Sequence, residues 1–209
     1  MSELRQNMVT REWVIIATER ARRPNRYAES REQITTGQRP PHDPACPFCP
    51  GNEEAELEVE RLPADGPWQA RAVENRYPAL HPNQALARSF DGVQRRISGM
   101  GRHEIVTEHP RHNTTLALMT PAEVGVALEL LFNRGWNIQK DYRIEQVIYF
   151  KNHRQRAGAS LPHPHSQIIA LPVVPHFIRQ RAEQARRYFD DTDDCAYCVM
   201  LEDELRRQV

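Results

Sequence analysis

The sequence lacks a surplus of either charge and lacks any long apolar run. Its 28 basic and 28 acidic residues give a formal net charge of zero, and its isoelectric point is about 7.1. This balance argues against bulk, charge-driven binding to nucleic acid or to a membrane surface. No run approaches the roughly 18 apolar residues of a membrane span, and the first residues show no signal-peptide pattern. We therefore expect a cytoplasmic protein with neither nucleic acid nor membrane as a partner.

Lysine is nearly absent as well. Lys140 and Lys151 are the only lysines, so arginine supplies the other 26 basic side chains. We attribute this bias mainly to genome composition, although arginine also suits phosphate sites because its guanidinium donates two parallel hydrogen bonds. Internal repeats and low-complexity segments are absent too. With 209 residues, 39% of them hydrophobic, the chain can form one core, or one and a half domains.

Cysteine is scarce but regularly spaced. The four cysteines form two Cys-x-x-Cys pairs, Cys46 with Cys49 and Cys195 with Cys198. In a chain without a secretion signal, such pairs indicate metal ligands before disulfides. One pair is only half of a tetrahedral zinc site, and histidine is the usual further donor. A thioredoxin-type redox pair is the alternative for Cys46 and Cys49, but the flanking prolines and the lack of a following helical pattern disfavour it.

The segment 160–171 carries the strongest functional signal. His163, His165 and Gln167 lie two residues apart, and a proline before each histidine favours extended backbone. In an extended chain these three side chains point to one face. The apolar run 168–171 predicts that the segment continues as a buried strand. Two imidazoles so close together suit metal binding or nucleophilic catalysis, and the alternative is a surface loop that happens to contain histidines.

This motif, His-Pro-His-x-Gln with Ser166 at x, resembles the active-site motif of the galactose-1-phosphate uridylyltransferase branch of the histidine-triad superfamily. The branch includes nucleotide phosphorylases that carry serine at x. The resemblance implies an α+β fold, a histidine-triad-like antiparallel sheet with packed helices. It covers residues 4–200, the first half of the usual family length. We therefore expect a nucleotidylyltransferase N-terminal domain at 1–172, then a linker helix and the start of a second half at 173–209.

The resemblance also implies a metal site. It assigns a zinc ion to Cys46, Cys49, His112 and His163, with His109 as the near alternative to His112. Four protein ligands would leave no open position for a reactive water, so this zinc would be structural. It would hold His163 in place and would link the loop of Cys46 and Cys49 to the predicted strand that carries the histidine motif.

The same resemblance assigns catalytic and binding roles. His165 would attack the α-phosphorus of a nucleotide sugar and form a uridylyl-histidine intermediate, which a second sugar phosphate then attacks. Gln167 would donate an amide hydrogen bond to a phosphoryl oxygen. The positions that match nucleotide and phosphate contacts of the family are Arg20, Arg23, Asn75, Asn152 and Ser160.

These roles predict a nucleotidylyltransferase, first of all a UDP-glucose–hexose-1-phosphate uridylyltransferase of galactose metabolism. A nucleotide-sugar or dinucleotide phosphorylase is the closest alternative, which Ser166 and the second cysteine pair favour; a hydrolase and an inactive zinc-stabilised nucleotide-binding half are the others. The family's hexose contacts lie mostly in its second half, so we expect a homodimer or a partner that supplies that half. Cys195 and Cys198 would form a second metal site or remain buried or free thiols.

Hydrophobic periodicity predicts the elements around these residues. Residues 24–45 and 81–101 are typical of loops. The predicted strands lie within 13–17, 68–80, 103–108, 146–151 and 167–171. The last two would pair as an antiparallel hairpin.

The clearest helix start is Thr120-Pro121-Ala122-Glu123, which predicts a capping box. This helix should run to about residue 140. A charged amphipathic helix is predicted from about 177 to 189, and another helical stretch follows the second cysteine pair. The residues expected to face the sheet from the first helix are Val124, Ala127, Leu128, Leu131 and Ile138.

Overall fold

The computed structural model describes residues 3–6, 10, 13–16, 38–154 and 157–208. These residues form antiparallel strands and three α-helices, which confirms the predicted α+β class. The chain separates into two compact units, one formed by Gln33–Val173 and the other by Met1–Glu32 with Val174–Val209. The functional division into 1–172 and 173–209 stays a prediction.

Nine strands lie within the described ranges. They are β1 (Glu3–Gln6), β2 (Trp13–Ile16), β3 (Glu58–Leu62), β4 (Ala70–Glu74), β5 (Arg88–Asp91), β6 (Gln94–Ile97), β7 (Arg102–Thr107), β8 (Gln146–Phe150) and β9 (His165–Leu171). In the unit Gln33–Val173, five of them form one antiparallel sheet in the order β3-β4-β7-β9-β8. β8 and β9 are the predicted antiparallel pair, and the motif enters β9 at His165. β5 pairs with β6, and β1 pairs with β2 in the other unit.

The described helices are α1 (Pro121–Ile138), α2 (His176–Thr192) and α3 (Ala196–Arg207). α1 begins as predicted, because the Thr120 hydroxyl accepts from the Glu123 N–H at 3.3 Å and the Glu123 carboxylate accepts from the Thr120 N–H at 2.7 Å. This reciprocal pair satisfies two N–H groups that a helix start leaves without intrahelical partners. α2 and α3 belong to the second unit. Within the described ranges, every helix is too short or too polar to cross a bilayer.

Side chains that alternate along the strands give the five-stranded sheet two different faces. One face is small and aliphatic and packs against Leu130 and Ile138 of α1; its members are Ala70, Ala72, Val106, Val147, Ile168 and Ala170. On the neighbouring strands β7 and β9, the opposite face carries His103, Ile105 and Thr107 from β7 and His165, Gln167 and Ile169 from β9. His165 and Gln167 therefore lie on the face that α1 does not cover, whereas Ser166 between them lies on the other face.

The buried stripe of α1 is rotated relative to the predicted one. Leu128 was expected to face the sheet, but its side chain is 56% exposed, whereas Leu130 is 0% exposed. The buried positions are Ala127, Leu130, Arg134, Gly135 and Ile138. A helix face that includes Arg134 is rotated relative to one chosen from apolar residues alone, and this rotation places Leu128 outside it.

The prediction of a loop across 81–101 was wrong, because β5 and β6 form a hairpin there. Their side chains are almost all exposed, so neither strand shows the apolar alternation that marks a half-buried strand. The sequence signal for the hairpin is instead the two-residue connection between β5 and β6, in which Gly92 has φ of +56°. Glycine at the first position of such a turn is typical of a tight hairpin.

A buried ion network joins α1 to the sheet. Arg134 Nε and Nη2 each donate to the Glu104 carboxylate at 2.8 Å, and Nη1 donates to Glu60 at 3.1 Å. Glu104 is 1% exposed, so its charge depends on this guanidinium for compensation.

We expect Arg134→Met to lower the free energy of unfolding by about 3 kcal/mol, because it leaves the Glu104 carboxylate buried and unpaired. The matched control is Arg96→Met, since Arg96 also pairs with a carboxylate, Asp91, but at the surface. That control should cost less than about 1 kcal/mol. Urea unfolding of both variants measures the two losses in free energy of unfolding. Equal losses would contradict the explanation that Arg134→Met leaves the Glu104 charge buried and uncompensated.

Candidate active site and metal centre

Four side chains with metal-ligating atoms converge on the uncovered side of the sheet. Cys46, Cys49, His112 and His163 are all buried, and their ligand atoms lie within 4.8 Å of one another. The two cysteines share one turn, in which the Cys49 N–H donates to the Cys46 carbonyl at 3.1 Å. His112 follows β7 and His163 precedes β9, and these strands are neighbours in the sheet. The turn and the two strand ends therefore meet at one point.

The distances within this cluster match a tetrahedral metal site. Cys46 Sγ lies 3.8 Å from His163 Nδ1, and Cys49 Sγ lies 3.6 Å from His163 Nδ1 and 3.5 Å from His112 Nδ1. Zinc–sulfur and zinc–nitrogen bonds of ordinary length at a tetrahedral angle would separate sulfur from nitrogen by about 3.6 Å. The four residues could therefore hold one metal ion without rearrangement of the chain.

His163 presents the correct nitrogen to this cluster. Its Nε2–H donates to the His109 carbonyl at 2.8 Å, which leaves an unprotonated Nδ1 facing both sulfur atoms. Burial lowers the pKa of His163 to about 4, so the ring is neutral near pH 7. A hydrogen bond from the second nitrogen is the usual way in which proteins orient a metal-binding imidazole.

His109, the alternative ligand, is engaged elsewhere. Its Nδ1 accepts from the Arg111 N–H at 2.9 Å, and its Nε2–H donates to Glu123 at 3.1 Å. Both ring nitrogens of His109 are thus engaged, Nδ1 within its own loop and Nε2 at the start of α1. The structure places His112 rather than His109 beside the cysteines.

Without a cation, burial favours the neutral form of the Cys46 thiol. Burial raises the pKa of the Cys46 thiol to about 11, and Cys49 is 0% exposed directly beside it. A divalent cation reverses this preference, since it binds thiolates and releases their protons. The donor set and its burial therefore both fit a metal ion.

His165 lies beside the cluster but does not take part in it. Its Nδ1–H donates to the His163 carbonyl at 2.8 Å, and the ring packs against Phe48 with centroids 5.5 Å apart. Burial lowers the pKa of His165 below its ordinary value, so the neutral ring predominates near pH 7. The tautomer with the proton on Nδ1 leaves the Nε2 lone pair available as a nucleophile.

His165 and Gln167 line a cavity of about 310 Å³. Its walls are mostly apolar, with Phe48, Leu57, Val73, Ile105 and Leu161 among them. Asn75 and Ser160, two of the predicted contact residues, line the same cavity. An apolar pocket with a few convergent polar groups is the usual form of a small-molecule site.

A second, much smaller cavity of about 20 Å³ also reaches His165. Asn152 lines it, so the structure separates this predicted phosphate contact from Asn75 and Ser160. Arg39, Lys151 and Arg154 make its lining positively charged. Arg154 has φ of +70°, a conformation that non-glycine residues rarely adopt and that clusters at functional sites.

A polar network beneath β9 was missed by sequence reasoning. Ser166 Oγ donates to Glu108 at 2.5 Å, Lys151 Nζ donates to the same carboxylate at 2.6 Å, and Lys151 also donates to the His165 carbonyl at 3.0 Å. This network ties the start of β9 to both of its neighbouring strands. The alternation of side chains along residues 102–108 puts Glu108 on the same face as Ser166. The sequence could have predicted this contact only if the register between β7 and β9 had been known.

The other predicted residues are two arginines and the second cysteine pair. Arg20 and Arg23 lie outside the described residues. Cys195 occupies the N-cap position of α3, and both it and Cys198 are exposed free thiols. The metal-ligating cluster found among the described residues does not include them.

Comparisons with known proteins agree with this geometry. The family model of the galactose-1-phosphate uridyl transferase N-terminal domain matches residues 1–175. The chain is 37% identical over 200 residues to the ADP-glucose phosphorylase of Arabidopsis thaliana, covering 94% of this chain and 56% of that protein. It is 29% identical over 205 residues to the galactose-1-phosphate uridylyltransferase of Thermotoga maritima, covering 98% and 57%.

A solved structure is similar over the same region. The crystal structure of the Arabidopsis thaliana ADP-glucose phosphorylase with bound ADP-glucose has a TM-score of 0.73 at 34% identity, covering 95% of this chain and 57% of that one. The chain thus spans somewhat more than half the length of the relatives that it matches. The predicted family resemblance is confirmed, and the chain belongs to the galactose-1-phosphate uridyl transferase family, where it corresponds to the N-terminal domain.

Proposed function

We propose that this chain carries the nucleotidyl-accepting site of a nucleotidylyltransferase, with His165 as the nucleophile. The observation that carries the proposal is the tautomer of His165. Its Nδ1–H is held by the His163 carbonyl at 2.8 Å, which leaves Nε2 unprotonated, and His165 lines the two cavities that Gln167, Asn75, Ser160 and Asn152 also line. A neutral, oriented imidazole beside an apolar pocket and amide donors suits attack on a nucleotide phosphorus.

In the first step, the Nε2 lone pair attacks the phosphorus next to the nucleoside in a nucleotide sugar. A phosphorus–nitrogen bond forms, and the bond from that phosphorus to the bridging oxygen breaks. The leaving group is a sugar phosphate, which keeps the bridging oxygen and its electron pair. His165 has no proton to lose at Nε2, and the positive charge that develops on the ring is stabilised by the Nδ1–H hydrogen bond to the His163 carbonyl.

The residues around His165 fall into two groups. Gln167 lines the larger cavity and would donate from its amide to a phosphoryl oxygen, while Asn75 and Ser160 would hold the nucleotide there. Asn152 would contact phosphate from the smaller cavity. Arg20 and Arg23 complete the proposed contact set on the family resemblance alone.

We assign zinc to the cluster of Cys46, Cys49, His112 and His163. Bound zinc would cross-link the cysteine turn to the backbone before β9 as a structural ion, because four protein ligands fill a tetrahedral site. The consequence for catalysis is indirect. The zinc would fix the His163 ring, and the His163 carbonyl in turn orients His165 through its hydrogen bond.

In the second step, an acceptor oxygen attacks the phosphorus, the phosphorus–nitrogen bond breaks, and His165 returns to its neutral form. The first candidate acceptor is a hexose 1-phosphate, which makes the reaction uridylyl transfer between UDP-glucose and that acceptor. The second is inorganic phosphate, which makes the protein a nucleotide-sugar phosphorylase. The 37% identity to an ADP-glucose phosphorylase favours this second candidate. Acceptor contacts from a second copy or a partner chain form part of the proposal.

We expect the 209-residue chain to acquire acid-labile label from a nucleotide sugar labelled at the phosphate next to the nucleoside, and His165→Gln to abolish that label. His176→Gln is the matched control, because His176 is an exposed histidine in the other unit. Label from UDP-glucose that passes to hexose 1-phosphate supports the first candidate. Label from ADP-glucose that passes to inorganic phosphate supports the second.

Absence of label on the wild-type chain from either nucleotide sugar would overturn the proposed catalytic step. If the chain nevertheless binds the nucleotide, it is an inactive nucleotide-binding half. Retention of label by His165→Gln would instead show that another residue is the nucleophile.

The metal assignment predicts about one equivalent of zinc per chain after purification without chelators. We expect Cys49→Ser to lower the zinc content by at least about tenfold, because the buried sulfur contacts both histidine ligands. Cys198→Ser is the matched control and should leave this equivalent in place, since Cys198 lies outside the cluster. Elemental analysis of both variants decides the assignment, and a Cys49→Ser chain with full zinc content would refute it.

A further inference from the structure

We propose that His103 is a positioning residue that determines which end of the Gln167 amide faces the cavity. The catalytic consequence rests on the proposed function, whereas the hydrogen-bond arrangement does not. His103 lies on β7 and Gln167 on the adjacent strand β9, and both side chains belong to the same face of the sheet. His103 Nε2 lies 2.9 Å from Gln167 Oε1.

The backbone of Ala79 determines where the proton of His103 resides. The Ala79 N–H donates to His103 Nδ1 at 3.1 Å, so Nδ1 must carry a lone pair. The single proton of the neutral ring then lies on Nε2, which donates it to Gln167 Oε1. One backbone N–H thus fixes the direction of the next hydrogen bond.

Asn75 also approaches the His103 ring, with its Nδ2 atom 3.1 Å from Nε2. The Asn75 amide is itself oriented, because its Oδ1 accepts from the Tyr77 N–H at 2.9 Å. Its NH₂ group could donate to Nε2 only if Nε2 were unprotonated. Since Ala79 already occupies Nδ1 as an acceptor, a neutral ring cannot accept at both nitrogens, and Nε2 is left as the donor to Gln167.

The Gln167 amide is therefore oriented with its oxygen toward His103 and its NH₂ group toward the cavity. Its oxygen accepts from His103, and within the described part of the chain no protein group accepts from its Nε2. A flipped amide would set its NH₂ against the His103 N–H, donor to donor, and would present an oxygen to the cavity. A phosphoryl oxygen in that cavity needs a donor, so His103 selects the productive orientation.

The test compares His103→Phe and His103→Gln, each made in the wild-type chain and in a Gln167→Ala chain. Phenylalanine keeps an aromatic ring but provides neither donor nor acceptor. Glutamine can accept from the Ala79 N–H through its oxygen and donate to Gln167 through its nitrogen. Nucleotidylation of His165 in a single turnover, measured over a range of nucleotide-sugar concentrations, separates the rate from the affinity.

We expect His103→Phe to slow nucleotidylation by about tenfold, the factor that corresponds to one lost hydrogen bond, with affinity changed by less than about twofold. His103→Gln should recover most of that rate. In the Gln167→Ala chain, His103→Phe should cause no further loss, because its effect acts through the missing amide. A similar loss in both backgrounds would show a general structural role and would overturn the proposal, as would an unchanged rate in His103→Phe.

A second measurement is independent of turnover. Nitrogen-15 NMR of the histidine rings in the wild-type chain should show His103 protonated at Nε2 and not at Nδ1. A proton on Nδ1 would overturn the proposal even if the chain is an active enzyme. If the wild-type chain gives no nucleotidyl-histidine, the proposed function fails, and the NMR result still decides whether His103 orients Gln167.

Discussion

The site depends on the two ends of one residue, His163. Its ring faces the two buried thiols at 3.6 and 3.8 Å, and its backbone carbonyl accepts the Nδ1–H of His165 at 2.8 Å. The extended backbone before β9 makes both contacts possible, since residues two positions apart in an extended chain lie on one face. A displacement of His163 would therefore disturb the metal ligands and the His165 tautomer together. The candidate metal cluster and His165 are therefore coupled through one residue.

The sheet supplies the spacing that this arrangement needs. Pairing of β7 with β9 sets Thr107 opposite His165 and Ile105 opposite Gln167, so the uncovered face of two central strands becomes the cavity floor. The covered face is held by α1 through aliphatic packing and through the buried Arg134–Glu104 pair. Lys151 and Glu108 then connect the start of β9 to its neighbours on both sides. The start of β9 is thus held by strand pairing on both sides and by the Lys151–Glu108 ion pair.

Sequence reasoning located the features that depend on local geometry. Prolines before His163 and His165 restrict the backbone directly, the two-residue cysteine spacing is a property of one turn, and the capping box of α1 lies within four residues. It could not place His103, Glu108 or Lys151, because their partners are set by the register between strands distant in sequence. It misassigned Leu128 because a buried arginine counted as polar, and it missed β5 and β6 because exposed strands carry no apolar pattern. The errors therefore concern positions where tertiary pairing overrides composition.

The two proposed acceptors differ in the protein contacts that each would need around His165. Both reactions share the first step, so the metal ligands, His165, Gln167 and His103 serve them equally. Discrimination between hexose 1-phosphate and inorganic phosphate must come from groups that contact the acceptor phosphate and any sugar attached to it. The cationic cavity that reaches His165 measures about 20 Å³, which is room for about one water molecule. Its charges can draw an anion toward His165, but neither a hexose nor a whole phosphate group has room inside it. Recognition of a sugar on the acceptor therefore requires hydroxyl-binding groups outside this cavity. Inorganic phosphate carries no sugar and requires no such groups. The phosphorylase reaction therefore needs fewer protein contacts beyond the site described than uridylyl transfer to a hexose 1-phosphate.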